Sequence, residues 1–407
     1  MNAVFSQHGP RAGDDRSIIQ AVDELAGRSI EPFSDRALDV VTRLSARLVG
    51  VREHPQFAAL GYWLRPAAVK RLATMFRSGV PENQFPVPRG LAFHLPPGNV
   101  DTIFVYSWAL SLLAGNANVV RLPSVRPANL EWLLGTLLEV LSDSGDADRH
   151  VFCSYGRDTS LNREISLRSD LRVIWGGDAK VREVSVDPMR PDGLSLGFPD
   201  RKSLAVIDST AYKRLEPPER DSLSERFFND VYWFDQMGCG SPRVLAWIGN
   251  REEADALSRD LYARLASVVV RKGYQVELGV AMSKISFLND MLAEGKGTAA
   301  FFLGNELGVI DLDERHLEPP ERIVGGGMLS NLFLPGLDSL FPLVSRSTQT
   351  ISYFGFDEPQ LRAFIHGLSG KGGFRVVPIG QALSFDTTWD GISLLDHMTR
   401  RVVLVPS

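Results

Sequence analysis

The chain has only two cysteines in 407 residues. That excludes a disulfide framework and makes a reducing, cytoplasmic setting the expected one. Long apolar runs are lacking as well. The longest, IFVYSWALSLLAG from Ile103, is too short and too interrupted to cross a bilayer, so no membrane span is expected. The opening MNAVFSQHGPRAGDDRS has no apolar core of the kind a secretory signal requires. Nor is there an excess of positive charge. Lys and Arg number 44 against 49 Asp and Glu, a formal net charge of -5, and no basic run is interleaved with aromatics. Nucleic acid is therefore not an expected partner. The seven histidines are scattered, with no His-x-x-x-His, Cys-x-x-Cys or His-Glu-x-x-His pairing, so no metal site is expected.

What is present is an ordinary globular composition, 44% hydrophobic and 23% charged, in a chain long enough for two or three domains. The first eighty residues read mostly as helix. SDRALDVVTRLSARLVG and RPAAVKRLATMFRSG place apolar residues at three- and four-residue intervals and end in Gly. VPENQFPVPRG, with three prolines, reads as an exposed connection. From residue 91 short apolar runs alternate with amphipathic segments. LAFHL, NVVRL, HVFCSY, LRVIWGG and SLAVID are strand-like, and DTIFVYSWALSLLAG and RPANLEWLLGTLLEVL are helical. Strand and helix in alternation predict a largely parallel sheet covered on both faces, an architecture that often binds dinucleotides. After residue 210 the alternation resumes through PERDSLSERFFNDVYWF, RVLAWIG and REEADALSRDLYARLASVVV, which predicts a second α/β domain. The expected division is a helical segment over 1–80, a dinucleotide-binding domain over 81–209, a catalytic domain over 210–385 and a tail over 386–407.

Four stretches carry candidate chemistry. Cys239, in DQMGCGSPR, is flanked by Gly238 and Gly240, which leave a side chain uncovered. It is either a presented nucleophile or, as with most unpaired cysteines, a small core residue. Cys153, inside HVFCSY, reads as core. Asn99 in FHLPPGNVDTIF follows a strand and precedes a helix, where it either faces a ligand at the carboxyl edge of the sheet or caps the helix. Gly176 and Gly177 in VIWGGDAKV let backbone amides approach a phosphate, or simply make a tight turn. Arg121 and Ser124 in VVRLPS end a strand at the same presumed edge, where they either touch a cofactor or are solvated.

The succession PPGN, LLAGNANVVRLPS, VIWGGDAKV and GCGSPR resembles the aldehyde dehydrogenase superfamily, and within it the LuxC-like acyl-CoA reductases. YWFDQMGCGSPR, PLVSRSTQTISYFGF and RVVPIGQALSFDTTWDGISLLDHMTR are similar to that family's cysteine, Gln-Thr and Trp-Asp-Gly segments, and the likeness runs from about GYWLRPAAVKRL to the C-terminus. The resemblance implies an aldehyde dehydrogenase-like α/β fold, with a Rossmann-type cofactor domain plus an α/β catalytic domain. It makes Cys239 the nucleophile and Asn99 an oxyanion donor, places Arg121 and Ser124 near the adenosine ribose, and puts Gly176 and Gly177 at the pyrophosphate. NADPH is the implied cofactor, with NADH as the alternative. The implied substrate is an acyl-CoA or acyl-protein donor, long fatty acyl groups being the family's habit; an acyl-protein synthetase partner and a homo-oligomer belong to the same expectation. One departure stands out. Oxidising members carry a Glu-Leu-Gly-Gly segment whose glutamate activates water, whereas the corresponding run here, LGFPDRKSLAVID, has no Glu, and Asp200 is displaced from that position. Acyl reduction to aldehyde is thus the expected activity; an oxidative aldehyde dehydrogenase and a non-catalytic nucleotide-binding subunit are the competing readings.

Overall fold

A computed structural model describes residues 2–6, 9–98, 100–156, 159–313, 315 and 322–406. The chain forms two compact units, Met1–Pro199 with Phe385–Ser407, and Asp200–Ser384. The N-terminal helices and the last residues thus belong to the first unit rather than standing apart. The boundary falls before SLAVID rather than at 209/210, because that run, Lys202–Asp208, lies in the second unit's sheet, between Pro242–Ile248 and Thr348–Phe354.

The first unit is built on a seven-stranded sheet. Its five parallel strands lie in the order His150–Ser154, Ala117–Arg121, Leu91–Leu95, Leu171–Trp175, Leu194–Phe198. Numbered along the chain this is 3-2-1-4-5, a doubly wound order whose direction reverses between Leu91–Leu95 and Leu171–Trp175. Every residue of Leu91–Leu95 and of Leu171–Trp175 is buried, as strands covered on both faces must be. Ile103–Leu113, the helix after the first of these strands, is buried along its whole length. Its lack of a polar face is what made IFVYSWALSLL look like a core helix.

Two elements depart from the sequence reading. The opening segment, expected to be helical, contributes the strands Ala3–Ser6 and Gly9–Ala12, and the former joins the sheet antiparallel to His150–Ser154. The proline-rich connection contains the strand Gln84–Pro88, antiparallel to Thr399–Val403 in a two-stranded ribbon. Proline is excluded from central strands because it has no N–H, but a ribbon has only edges, so Pro86 and Pro88 are tolerated.

The second unit carries another seven-stranded sheet, ordered Gly297–Leu303, Leu307–Leu312, Met328–Leu334, Pro242–Ile248, Lys202–Asp208, Thr348–Phe354, Arg375–Pro378, parallel except for the first pair. Side chains alternate across it with the period of two expected for strands. Ala205, Ile207, Leu245 and Trp247 meet the helices Pro217–Tyr232 and Arg251–Lys272 on one face. Leu204, Val206, Val244 and Ala246 meet Phe287, Leu288 and Phe364 on the other.

Candidate active site

The reversal of strand order in the first unit leaves a crevice at the carboxyl ends of Leu91–Leu95 and Leu171–Trp175, the place where open α/β sheets hold ligands. The Pro96-Pro97-Gly98 turn leaves one strand there, and Gly176-Gly177 leaves the other. Asn99 itself lies outside the described residues. The helix that follows it starts at Ile103 with Thr102 in the N-cap position. Gly177 is the N-cap of the helix Asp178–Ser185, so the helix's first N–H groups open onto the crevice. Arg121 ends the neighbouring strand, where its guanidinium donates to the Tyr155 carbonyl at 3.3 Å and lies 4.6 Å over the Tyr155 ring. Ser124 follows in an exposed bend. The structure therefore brings Arg121, Ser124, Gly176 and Gly177 to one edge of one sheet. A dinucleotide fits this set: glycines at a helix start for the phosphates, and an arginine two strands away for the ribose end.

The second unit holds Cys239 in the loop between Pro217–Tyr232 and Pro242–Ile248. Neither cysteine is in a disulfide; Cys153 is buried, Cys239 only partly so. Burial pushes the Cys153 thiol up to about 12, which keeps it protonated and inert. The approach to Cys239 is unusual backbone. Phe234, Asp235 and Gln236 all have positive φ, 55°, 52° and 62°. Such a run in non-glycine residues is strained and persists only where the surroundings over-determine it. Here they do. The buried Gln236 amide donates to the carbonyls of Pro242 (2.9 Å) and Met328 (3.0 Å) and accepts from the N–H groups of Gly327 (3.0 Å) and Met328 (2.9 Å). The Asp235 carbonyl accepts from Gly326 N–H at 2.9 Å, and its carboxylate from Tyr274. The facing Gly325-Gly326-Gly327 run is itself left-handed, with φ of 77°, 60° and 77°, which is why three glycines stand there. Lys284, buried and pushed down to about 8 by desolvation, donates to the carbonyls of Gly326 and Asn305 and holds that run from behind.

Beyond the cysteine, the Ser203 hydroxyl donates to the Cys239 carbonyl at 2.6 Å. The flanking glycines are required by close packing: a Cβ on Gly240 would strike the Ala382 carbonyl, and one on Gly238 would come within 3.0 Å of Leu383. So the glycines that suggested an open thiol also admit the 380–384 turn. Asp230 fixes that turn, accepting from Gly380 N–H (2.7 Å) and Ala382 N–H (2.9 Å). Burial raises its carboxyl to about 7, against the pull of those two amides and of Arg375 and Arg226. Arg243, at the start of the next strand, is lowered by burial, and the charges of Cys239 and Asp200 oppose that shift. Asp200, one of two aspartates in the run that lacks glutamate, is exposed.

A pH effect follows from Asp230. Its carboxyl titrates near 7 in the fold but near 3.8 when unfolded, so the folded state holds the extra proton between those values. The associated stability is complete below about pH 4 and is lost as pH rises through about 7. The melting-temperature advantage of wild type over Asp230→Asn should shrink between about pH 5 and pH 8, and an advantage that stays constant over that range would show that the carboxyl is ionised throughout.

Gln236, Lys284, Asp230 and Arg243 were not singled out by sequence. The glutamine just ahead of the cysteine was the one local signal; the others act through partners distant in the chain.

A model of the acyl-CoA reductase (LuxC) family matches residues 75–401. Among curated proteins, the long-chain acyl-protein thioester reductase of Aliivibrio fischeri is 25% identical over 166 residues, 40% of this chain and 33% of that protein. The protein of the same name from Vibrio harveyi is 27% identical over 170 residues, 41% of this chain and 34% of that one. The matched stretches thus span about a third of those relatives. Among solved structures, aldehyde dehydrogenase 21 from Physcomitrella patens, in complex with succinate, superposes with a TM-score of 0.70 at 13% identity, covering 99% of this chain and 97% of that one. The glyceraldehyde-3-phosphate dehydrogenase GapN of Methanocaldococcus jannaschii, complexed with NADP, gives 0.67 at 10% identity, covering 97% and 95%. The fold is aldehyde dehydrogenase-like, as the sequence motifs implied.

Proposed function

The chain belongs to the acyl-CoA reductase (LuxC) family, and from that premise we propose that it reduces a thioester-bound fatty acyl group to the aldehyde through an acyl-enzyme on Cys239. The observation that carries the reading is the partly exposed thiol on a strained, heavily braced loop, in a chain whose other cysteine is buried and protonated. The Arg243 guanidinium close by stabilises the Cys239 thiolate. The thiolate attacks the thioester carbonyl, the C–S bond to the donor breaks, and the donor leaves as its thiolate, which takes a proton from water, so that the acyl group is held on Cys239 as a new thioester. Gly176, Gly177, Arg121 and Ser124 would hold a nicotinamide cofactor, which would supply the hydride. The negative charge that develops on the acyl oxygen is met by the Asn99 amide and the Cys239 backbone N–H. The C–S bond then breaks, the aldehyde leaves and the thiolate returns.

An acyl-CoA and an acyl-protein are both chemically competent donors, and the relatives named for acyl-protein thioesters favour the second. NADPH is favoured over NADH because Arg121 ends a strand at the ribose side, where a guanidinium pairs well with a 2′-phosphate. A soluble enzyme acting as a homo-oligomer in the cytoplasm, with a synthetase supplying acyl groups, completes the proposal. Among the described residues no helix is long and apolar enough to cross a membrane.

The run from Leu194 to Asp208 has no glutamate to activate water, so the acyl-enzyme should resist hydrolysis. Mixed with acyl-CoA alone, the protein should accumulate a thioester that outlasts many turnover times. NADPH should discharge it as aldehyde, and free CoA should reverse its formation. Free fatty acid and bound acyl group, followed together after excess substrate is removed, decide the matter. Rapid release of acid without cofactor would falsify the reductase reading and favour the oxidative alternative.

A further inference from the structure

We propose that Lys180 is the positioning residue that sets the cofactor crevice, stapling the turn that leads to Asn99 to the turn that carries Gly176. Strands Leu91–Leu95 and Leu171–Trp175 are paired as far as Leu95 opposite Ile174. There the ladder must stop, because Pro96 and Pro97 have no N–H to donate. The carbonyls at the strand ends would be left to separate just where the crevice begins. Lys180 supplies the missing donors. Its ammonium donates to the carbonyls of Leu95 (3.3 Å), in the last pair of the two strands, and of Pro96 (2.8 Å) and Trp175 (3.0 Å), the residues just beyond that pair. An ammonium has three N–H bonds, so it can serve several carbonyls at once.

Two further observations fit this role. Lys180 lies in the first turn of the helix Asp178–Ser185, where a cation opposes the helix dipole, so helix stability does not account for it. Its stem also lies directly over Gly176, since a Cβ built there would come within 2.8 Å of the Lys180 Cδ. The lysine thus bears on both sides of the crevice at once, through hydrogen bonds on the Pro96 side and through packing on the Gly176 side.

The inference rests on the cofactor-dependent reduction proposed above, and the test separates the two. Lys180→Met keeps the length and packing of the side chain and removes its donors. Cofactor Kd, read by quenching of tryptophan fluorescence, should rise about tenfold, and discharge of the preformed acyl-enzyme by NADPH should slow by at least as much, the loss expected when charged hydrogen bonds to a site are removed. Acyl transfer from acyl-CoA onto Cys239, measured without cofactor, should be slowed less than discharge, because that step needs no cofactor and depends only on the Asn99 side of the staple. Lys180→Arg keeps the charge but spreads its donors over a plane, so it should fall between the two and decides the matter where the Met variant does not fold. Wild-type-like Kd and discharge in both variants would overturn the proposal, and so would a parallel loss of acyl transfer and melting temperature, which marks a merely structural lysine. Wild-type protein that takes up no acyl group at all would instead sink the reductase reading and leave the Kd comparison to judge Lys180.

Discussion

Replacing Cys239 by alanine is expected to abolish both acyl uptake and aldehyde formation, since every step of the proposed reaction passes through its sulfur. Cys153→Ala should leave acyl uptake intact, because that thiol is wholly buried and held up to about 12 by its surroundings. Intact-protein mass spectrometry after exposure to acyl-CoA reads both results directly. A single acyl adduct should appear on wild type and on the Cys153 variant and be missing from the Cys239 variant. An adduct that persists without Cys239, or maps to Cys153, ends the assignment.

The second large effect concerns the oxygen on which charge develops. Asn99→Ala should lower kcat by about 10² to 10³, the usual loss when one oxyanion donor is removed, with far less change in KM or cofactor Kd. The competing role for Asn99 is to cap the following helix, whose N-cap residue Thr102 makes no side-chain capping hydrogen bond. Near-normal turnover accompanied by a lower melting temperature would assign Asn99 to stability rather than to chemistry.

The regular elements were legible because their signals are local. LAFHL, HVFCSY and LRVIWGG are continuous apolar runs, and they became buried parallel strands. The misreadings are just as physical. Gln84–Pro88 forms a strand despite its prolines, because its partner Thr399–Val403 lies at the far end of the chain and no local pattern could supply it. SLAVID was assigned to the first domain by its position after LRVIWGG, but its neighbours in space, Pro242–Ile248 and Thr348–Phe354, come later in sequence. The site divides in the same way. The glycines about Cys239 announce a special loop, yet Gln236 acts through Gly327 and Met328, and Asp230 through Gly380 and Ala382. Lys180 looked like an ordinary helix residue until the carbonyls of Leu95 and Pro96 were seen around its ammonium.

The brace on the cysteine loop also ties chemical reactivity to completeness of folding. Phe234, Asp235 and Gln236 hold their left-handed backbone only because Gly326, Gly327 and Met328 are docked against them. A nascent chain that has emerged past Cys239 but not past Met328 lacks every partner of the Gln236 amide except the Pro242 carbonyl, so its loop is free to relax to ordinary backbone. On the proposed chemistry, acyl capture at Cys239 would therefore depend on closure of the second sheet.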